Sequence, residues 1–493
     1  MDQAVGKQAM VQSASPVSES EKNAIIGGVL LSMLLAALDQ TIVAPAMPTI
    51  ARALGHAEYL PWIVTGYLLT ATAVAPLYGK ISDVLGRRPT IYAAILIFLA
   101  GSLVSALAPN MLVLVVGRAI QGAGGGGLFA LAQIVIGDLV PPRERAKYAA
   151  WISGTWAVAS VAGPLLGGTF AEHLHWSLIF WINLPLGFLA MAIINNPLKK
   201  LPIVAKHHRI DGLGAVLLIV ATALLLLALN WGGSTYAWIS PEILGLVACS
   251  AIFWAAFALR LMRAAEPLVS LEVLGNRIVL TGTLSMFLLQ AASVGLSVYL
   301  PVYLQSIIGL SVSESGTAML GLLLGTVAGA TFSGQAIPRF VHYKRIALIG
   351  VGFSILCVGL LSMIAGHATL LQVEILTTLI GLGMGTTFPV STIAVQNAVD
   401  QTHLGVATGV LTFLRSLGSA LGVAMLGAVA LGYGMPLAAE GGVGHIEVSS
   451  ALPFVMIFIA AGITLILSLA MLSLMPEKPL RGRQEHAAPV LGD

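Results

Sequence analysis

Long apolar runs alternate with short polar breaks along the whole chain, and this pattern gives the first reading. A bilayer core about 30 Å thick is crossed by roughly 20 apolar residues in a helix. Runs of that size lie at 24–46, 60–79, 90–108, 111–137, 148–171, 177–196, 211–230, 241–261, 279–304, 315–336, 345–365, 369–392, 404–430 and 452–475. The pattern predicts an all-α integral membrane protein with fourteen transmembrane helices. Six helices precede the pair at 211–261 and six follow it. The expected architecture is therefore two pseudo-symmetric six-helix bundles, 24–196 and 279–475, with two extra central helices between them. That pair carries no ionisable residue inside its apolar stretches and is expected to face lipid or act as a wedge. Short tails, 1–23 and 476–493, are left at the ends. The first of them has no apolar core, so no cleavable signal peptide is expected and the first helix directs insertion.

An even number of crossings puts both termini on one side, and charge decides which. With the termini in the cytoplasm, every Lys and Arg except Arg52, Arg118 and Arg415 falls in a cytoplasmic segment, as the retention of basic loops requires. A miscount of one helix would scramble this partition. The expected location is the cell's inner (plasma) membrane, with Trp62, Trp176, Trp231 and Trp238 as anchors at outer helix ends.

Composition narrows the function classes. Of 493 residues 57% are hydrophobic and 9% charged, against about 45–50% and about 25% in soluble domains. A soluble enzyme and a disordered chain are both excluded. The net charge of +3 is too small to suggest a nucleic-acid partner. Cys249 and Cys357 lack metal-ligand spacing, and His173, His175, His207 and His208 have no carboxylate or cysteine cluster, so no metal is expected. The run Gly122-Ala123-Gly124-Gly125-Gly126-Gly127 is not a phosphate loop, because no GxxxxGK[ST] occurs. No cofactor, ATP drive or catalytic constellation is expected.

An ionised group at the bilayer centre costs at least about 2.5–3.5 kcal/mol, which makes each one a functional hypothesis. Asp39 lies roughly 22 Å along the first helix and Arg118 roughly 10 Å from the outer end of the fourth, at similar depth. The two are expected to face a central cavity and to interact directly or through water or Gln121. Opening and closing such a cavity would switch Asp39 between holding and releasing a proton; the plainer alternative is that the pair only pins helices together. Glu374 is a second proton or cation site, or a group in a wet outer vestibule. Arg415 is expected to hydrogen-bond backbone carbonyls or amide side chains, and is also a candidate cavity residue. Other candidates for a substrate cavity are Gln40, Thr41, Tyr67, Gln121, Gln133, Gln290, Tyr299, Tyr303, Gln305, Phe388 and Gln396, since cavities combine apolar walls with a few polar or aromatic groups. Each could equally be a packing residue.

The two halves echo each other. Gly79-Lys80-Ile81-Ser82-Asp83-Val84-Leu85-Gly86-Arg87-Arg88 has a degenerate counterpart in Gly334-Gln335-Ala336-Ile337-Pro338-Arg339, and Gly122 to Gly127 is matched by Gly381-Leu382-Gly383-Met384-Gly385. Gly79 to Arg88 with Pro89-Thr90-Ile91 resembles the loop 2/3 motif of the major facilitator superfamily. Leu38-Asp39-Gln40-Thr41-Ile42-Val43, Arg118-Ala119-Ile120-Gln121-Gly122, Gly163-Pro164-Leu165-Leu166-Gly167-Gly168 and Phe180-Trp181-Ile182-Asn183-Leu184-Pro185-Leu186-Gly187 are similar to motifs of its fourteen-helix drug:proton antiporter branch. One departure is Ala159, where that branch often has glycine. The resemblance covers nearly the whole chain. It implies proton-driven export of lipophilic or cationic compounds, gating by Gly79, Asp83, Gly86, Arg87 and Arg88 across the cytoplasmic seam, and an antiporter motif at Gly163, Pro164, Gly167 and Gly168, where Pro164 would bend the helix. Asp138, Arg143, Glu144 and Arg145 are expected to be solvated or seam charges.

The partners expected are a small-molecule substrate, protons and the lipid bilayer. A periplasmic adaptor stays open, although the short outer loops offer no adaptor domain, and a monomer suffices. Two other readings stay open at this stage: a proton-coupled or facilitative transporter of one metabolite, and a non-transporting receptor or scaffold.

Overall fold

The computed structural model describes residues 18–55, 59–199, 211–233, 235–264, 267–310, 312–340, 342–435 and 450–480. Lys7, Lys200, Lys206, His207, His208, Arg209, Arg481 and Arg483, and most of both tails, lie outside the described residues. The chain runs through α1 (Glu19–Leu54), α2 (Leu60–Leu85), α3 (Arg87–Ala106), α4 (Met111–Leu139), α5 (Pro142–His173), α6 (Leu178–Trp181), α7 (Asn183–Leu198), α8 (Gly212–Trp231) and α9 (Pro241–Arg263). It continues through α10 (Leu271–Gly275), α11 (Arg277–Ser306), α12 (Val312–Ala318), α13 (Leu320–Ala336), α14 (Lys344–Ile364), α15 (Leu370–Gly385), α16 (Thr387–Ala398), α17 (Leu404–Gly432) and α18 (Leu452–Leu474).

Polar residues at the breaks explain where helices start. Ser18 and Glu21 form a reciprocal cap at the head of α1, and the Asn110 side chain accepts from Val113 N at 3.0 Å to start α4. Asp211 caps α8 through Gly214 N and also accepts from Arg260 Nε at 3.1 Å, tying the start of α8 to the end of α9. At the junction of α2 and α3 the backbone turns through Gly86 at φ 91°, a left-handed value that glycine adopts without strain.

Thirteen helical segments among the described residues are long and apolar enough to cross a membrane. The expected fourteenth, α5, is not one of them. Its 32 residues would reach about 48 Å, but Ser153, Thr155, Ser160 and Thr169 dilute its apolar character, and it runs unbroken through Pro164. The run expected at 369–392 is two helices, α15 and α16, meeting at Thr386; Pro389 supplies no N–H to bridge that junction.

Apolar side chains gather into separate cores, within α1–α7 on one side and, on the other, joining α11–α18 to Leu218 of α8 and Phe257 and Leu261 of α9. Helices approach closely where glycine removes the side chain. A Cβ on Gly126 of α4 would overlap the Ala71 carbonyl of α2, and one on Gly385 of α15 would overlap the Thr326 carbonyl of α13. The repeated glycine clusters therefore do the same packing work in both halves. Contacts between the halves run mainly through α2 with α17 and α5 with α13. The central pair divides its roles. Helix α9 exposes Leu244, Val247, Ile252, Leu259 and Met262, as a lipid-facing helix would. Helix α8 packs on α2 and reaches α17, with Asn230 donating to Thr65 Oγ1 at 3.1 Å.

Candidate functional site

The Asp39 carboxylate is fully buried and accepts from three side chains. Arg118 donates through its NH1 nitrogen, Gln121 Nε2 stands at 2.7 Å and Asn183 Nδ2 at 2.9 Å. Arg118 also donates to Gln121 Oε1 at 2.8 Å and, through Nε, to the Ile63 carbonyl at 3.0 Å. Its guanidinium lies 4.5 Å from the Tyr67 ring centroid and 5.9 Å from that of Phe180. Ser102 Oγ closes the set, taking hydrogen bonds from Gln121 Nε2 at 2.7 Å and Asn183 Nδ2 at 3.2 Å. One acid and one base thus fasten α1, α3, α4 and α7 together. A buried ion pair persists when its remaining lone pairs and protons are satisfied, and here nearly all are.

This geometry corrects one expectation. Asp39 and Arg118 are in direct contact, but neither borders the central cavity. Successive helical residues point about 100° apart, so Gln40 faces the cavity while Asp39 turns inward to α4 and α7.

The cavity lies between the halves, with a volume of about 1240 Å³. Of the residues expected there, Gln40, Gln133, Gln290, Tyr299, Phe388 and Arg415 line it. The others are occupied elsewhere. Thr41 Oγ1 donates to the Ala159 carbonyl at 2.8 Å, joining α1 to α5. Tyr67 and Gln121 belong to the Asp39 cluster. Tyr303 is buried beside Phe454 and Phe458 and donates to the Ala365 carbonyl at 2.8 Å. Gln305 donates to Ser315 at 2.8 Å, and Gln396 lies in the seam described below. Glu374 is half-buried near the start of α15 and outside the cavity wall. Helix α8 contributes Leu226, Leu229 and Asn230 to that wall, so the extra pair is not wholly peripheral.

Arg415 differs from expectation too. Its carbonyl accepts from Ser419 Oγ, but its guanidinium has no hydrogen-bond or ion-pair partner among the described residues. The backbone carbonyls of α17 are engaged in the helix itself, and the side chain points to the cavity instead.

The halves meet at the end of the bundle that carries Gly79 to Arg88. Asp83 Oδ1 pairs with Arg87 at 2.6 Å, and Arg87 Nε pairs with Asp138 at 2.7 Å. Asp83 Oδ2 accepts from Val406 N at 3.1 Å, across the seam. Val406 is in the first turn of α17, where free N–H groups and the helix dipole favour an anion. Gly79 packs on Gly405, and a Cβ on either would clash, with the Gly405 carbonyl in one case and the Asp83 carboxylate in the other. Nearby, Gln396 Nε2 donates to the Gln133 carbonyl and Arg145 to Gln396 Oε1, both at 3.4 Å. Arg88 does not cross the seam; it donates to Asn195 at 3.2 Å within its own half. Gly163 and Gly167 let α5 lie against Thr41 and Ile42 of α1, whereas Gly168 faces open space.

Asp83→Asn should weaken this closure by about 1–2 kcal/mol, roughly 5- to 30-fold in the closed-to-open ratio. A Leu404→Cys reporter in a Cys249→Ser background should then react faster with a hydrophilic maleimide. Unchanged labelling would remove Asp83 from the gate.

Two helical halves enclose one cavity, with contacts across the seam at one end, an arrangement that fits a membrane transporter. Residues 29–423 match the Major Facilitator Superfamily, and the chain belongs to that family. The multidrug transporter protein MdtP of Bacillus subtilis (strain 168) is 36% identical over 420 residues, 83% of this chain and 76% of that protein. Multidrug resistance protein 3 of the same organism is 33% identical over 405 residues, 82% and 79% of the respective chains. The solved structure of the proton:xylose symporter XylE bound to 6-bromo-6-deoxy-D-glucose superposes with a TM-score of 0.63 at 14% identity, covering 94% of this chain and 98% of that one. That likeness is one of fold alone.

Proposed function

We propose that this protein is an antiporter that exports lipophilic drugs and toxic compounds by alternating access, driven by protons moving inward. The observation that carries the reading is the placement of a fully buried acid one residue along α1 from a residue of the cavity wall. Asp39 accepts hydrogen bonds from Arg118, Gln121 and Asn183. A proton arriving there cancels the charge that Arg118 neutralises and loosens the tie between α1, α4 and α7. Asn183 Oδ1 is buried with no donor among the described residues; half a turn of its amide would offer an acceptor to the protonated acid. Helix α1 carries Gln40 with it, so protonation and the shape of the cavity are linked through one rigid element. Release of the proton on the other side restores the pair.

The seam end is assigned to the cytoplasm, with both termini on that side of the inner (plasma) membrane, because Lys80, Arg87, Arg145 and Lys344 collect at or near helix ends there. Helix α5 is taken as the fourteenth crossing: Trp151, Val158, Val161 and Leu165 form an exposed apolar stripe along it, suited to lipid. The names of the two Bacillus relatives support drugs as cargo.

The test is purified protein in liposomes. An imposed pH gradient should drive a lipophilic dye against its own gradient, and nigericin should abolish that movement. Dye that only equilibrates, whatever the pH gradient, would overturn the coupled reading.

A further inference from the structure

We infer that the cavity selects amphiphiles carrying an anionic group, a carboxylate above all, over those carrying a cation, and that Arg415 is the residue that selects them. The inference rests on the cavity being the substrate site of the exporter proposed above, and it fixes the substrate class. Arg415 stands near the middle of α17, in the cavity wall. It is the only charged side chain among the described residues that line the cavity, and no Asp or Glu faces it there.

A guanidinium presents five N–H donors and stays charged at every physiological pH. Within a membrane protein such a group is normally paired or bonded to backbone carbonyls. Arg118 shows that arrangement in this chain, with an acid, an amide and a carbonyl around it. Arg415 has none of these among the described residues, so its donors are directed to whatever enters the hollow. A carboxylate matches the planar fork with two parallel hydrogen bonds. A cationic head would meet like charge with no acid to offset it.

The rest of the wall fits such a ligand. Gln290 lines the same cavity from α11, which packs along α17. Its Nε2 can donate to an oxygen-rich head group from a second direction. Phe129, Trp156 and Phe388 supply apolar surface for the ligand's body.

The test uses three probes of one length: a dansyl-labelled alkyl carboxylate, its neutral amide and the matching primary ammonium. Binding to purified full-length protein is read by energy transfer from tryptophan, without any transport step. The wild type should bind the carboxylate about 10- to 100-fold more tightly than the ammonium. Arg415→Gln should erase that preference while keeping affinity for the amide, and Arg415→Lys should keep part of it. Because the Arg415 guanidinium has no partner among the described residues, neither change strands a partner charge, and retained amide binding reports a folded cavity. An ammonium that binds the wild type as tightly as the carboxylate would overturn the inference, as would a preference that survives in Arg415→Gln. The exporter reading fails separately: liposomes that move none of the three probes would refute it while the anion preference in binding stood.

Discussion

Arg118→Ala is expected to cost the folded protein about 3–5 kcal/mol, because it strands the Asp39 carboxylate in a site with no access to water. The loss should appear as a large fall in apparent Tm of the purified protein, or as failure to recover monodisperse material. The companion change tells whether the charge is responsible. Asp39→Ala alone strands Arg118 and should be similarly damaging, whereas Arg118→Ala with Asp39→Ala removes both charges and should recover much of the stability. Double-mutant analysis isolates that coupling. A double variant as unstable as the sum of the singles would mean that the two residues contribute through packing alone, for example through the ring of Tyr67 against the guanidinium.

Gly79→Leu should have the second large effect, and on transport more than on folding. Gly79 is pressed against Gly405 of the opposite half with no room for a Cβ. Overpacking of this kind costs about 1–3 kcal/mol, and here the cost falls only on the state in which the halves are closed at this end. The conformational equilibrium should move by roughly 5- to 150-fold toward opening there. Export should drop by a comparable factor, binding of a neutral lipophilic ligand should persist, and the Leu404→Cys reporter should label rapidly. Normal export by Gly79→Leu would contradict the assignment of this contact as the closing surface.

Much of this molecule is legible in the sequence because the bilayer imposes a single dominant constraint. Apolar runs mark the helices, and the matching glycine clusters mark the halves. The acid in the first helix and the arginine in the fourth could be paired from depth alone. What periodicity cannot supply is azimuth. Asp39 and Gln40 are adjacent in sequence, yet one joins the buried cluster and the other the cavity wall. Thr41, Tyr67, Tyr303 and Gln305 had the right residue types for a cavity and were consumed by helix packing.

Ser102 carries no sequence signal beyond being a hydroxyl in an apolar run. Asn183 had one, in the run Phe180-Trp181-Ile182-Asn183-Leu184-Pro185-Leu186-Gly187, which is similar to a motif of the fourteen-helix branch. Val406 could not be read at all, since it contributes only a backbone N–H at a helix start. Helix α5 lies at the limit of hydropathy as a guide: the run at 148–171 reads as a crossing, yet α5 is not among the thirteen described segments long and apolar enough for one. Arg415 is the reverse case, expected to be satisfied by carbonyls but left to the cavity because the helix keeps its carbonyls for itself.

The most direct measurement is pH-driven transport by Asp39→Asn in liposomes. Asparagine keeps the shape and the hydrogen-bonding edge of aspartate but cannot carry a proton at physiological pH. This variant should still exchange labelled for unlabelled substrate across the membrane, yet no longer accumulate substrate when a pH gradient is imposed. Accumulation equal to that of the wild type would show that the proton travels by another route and that the buried pair is a structural fastening only.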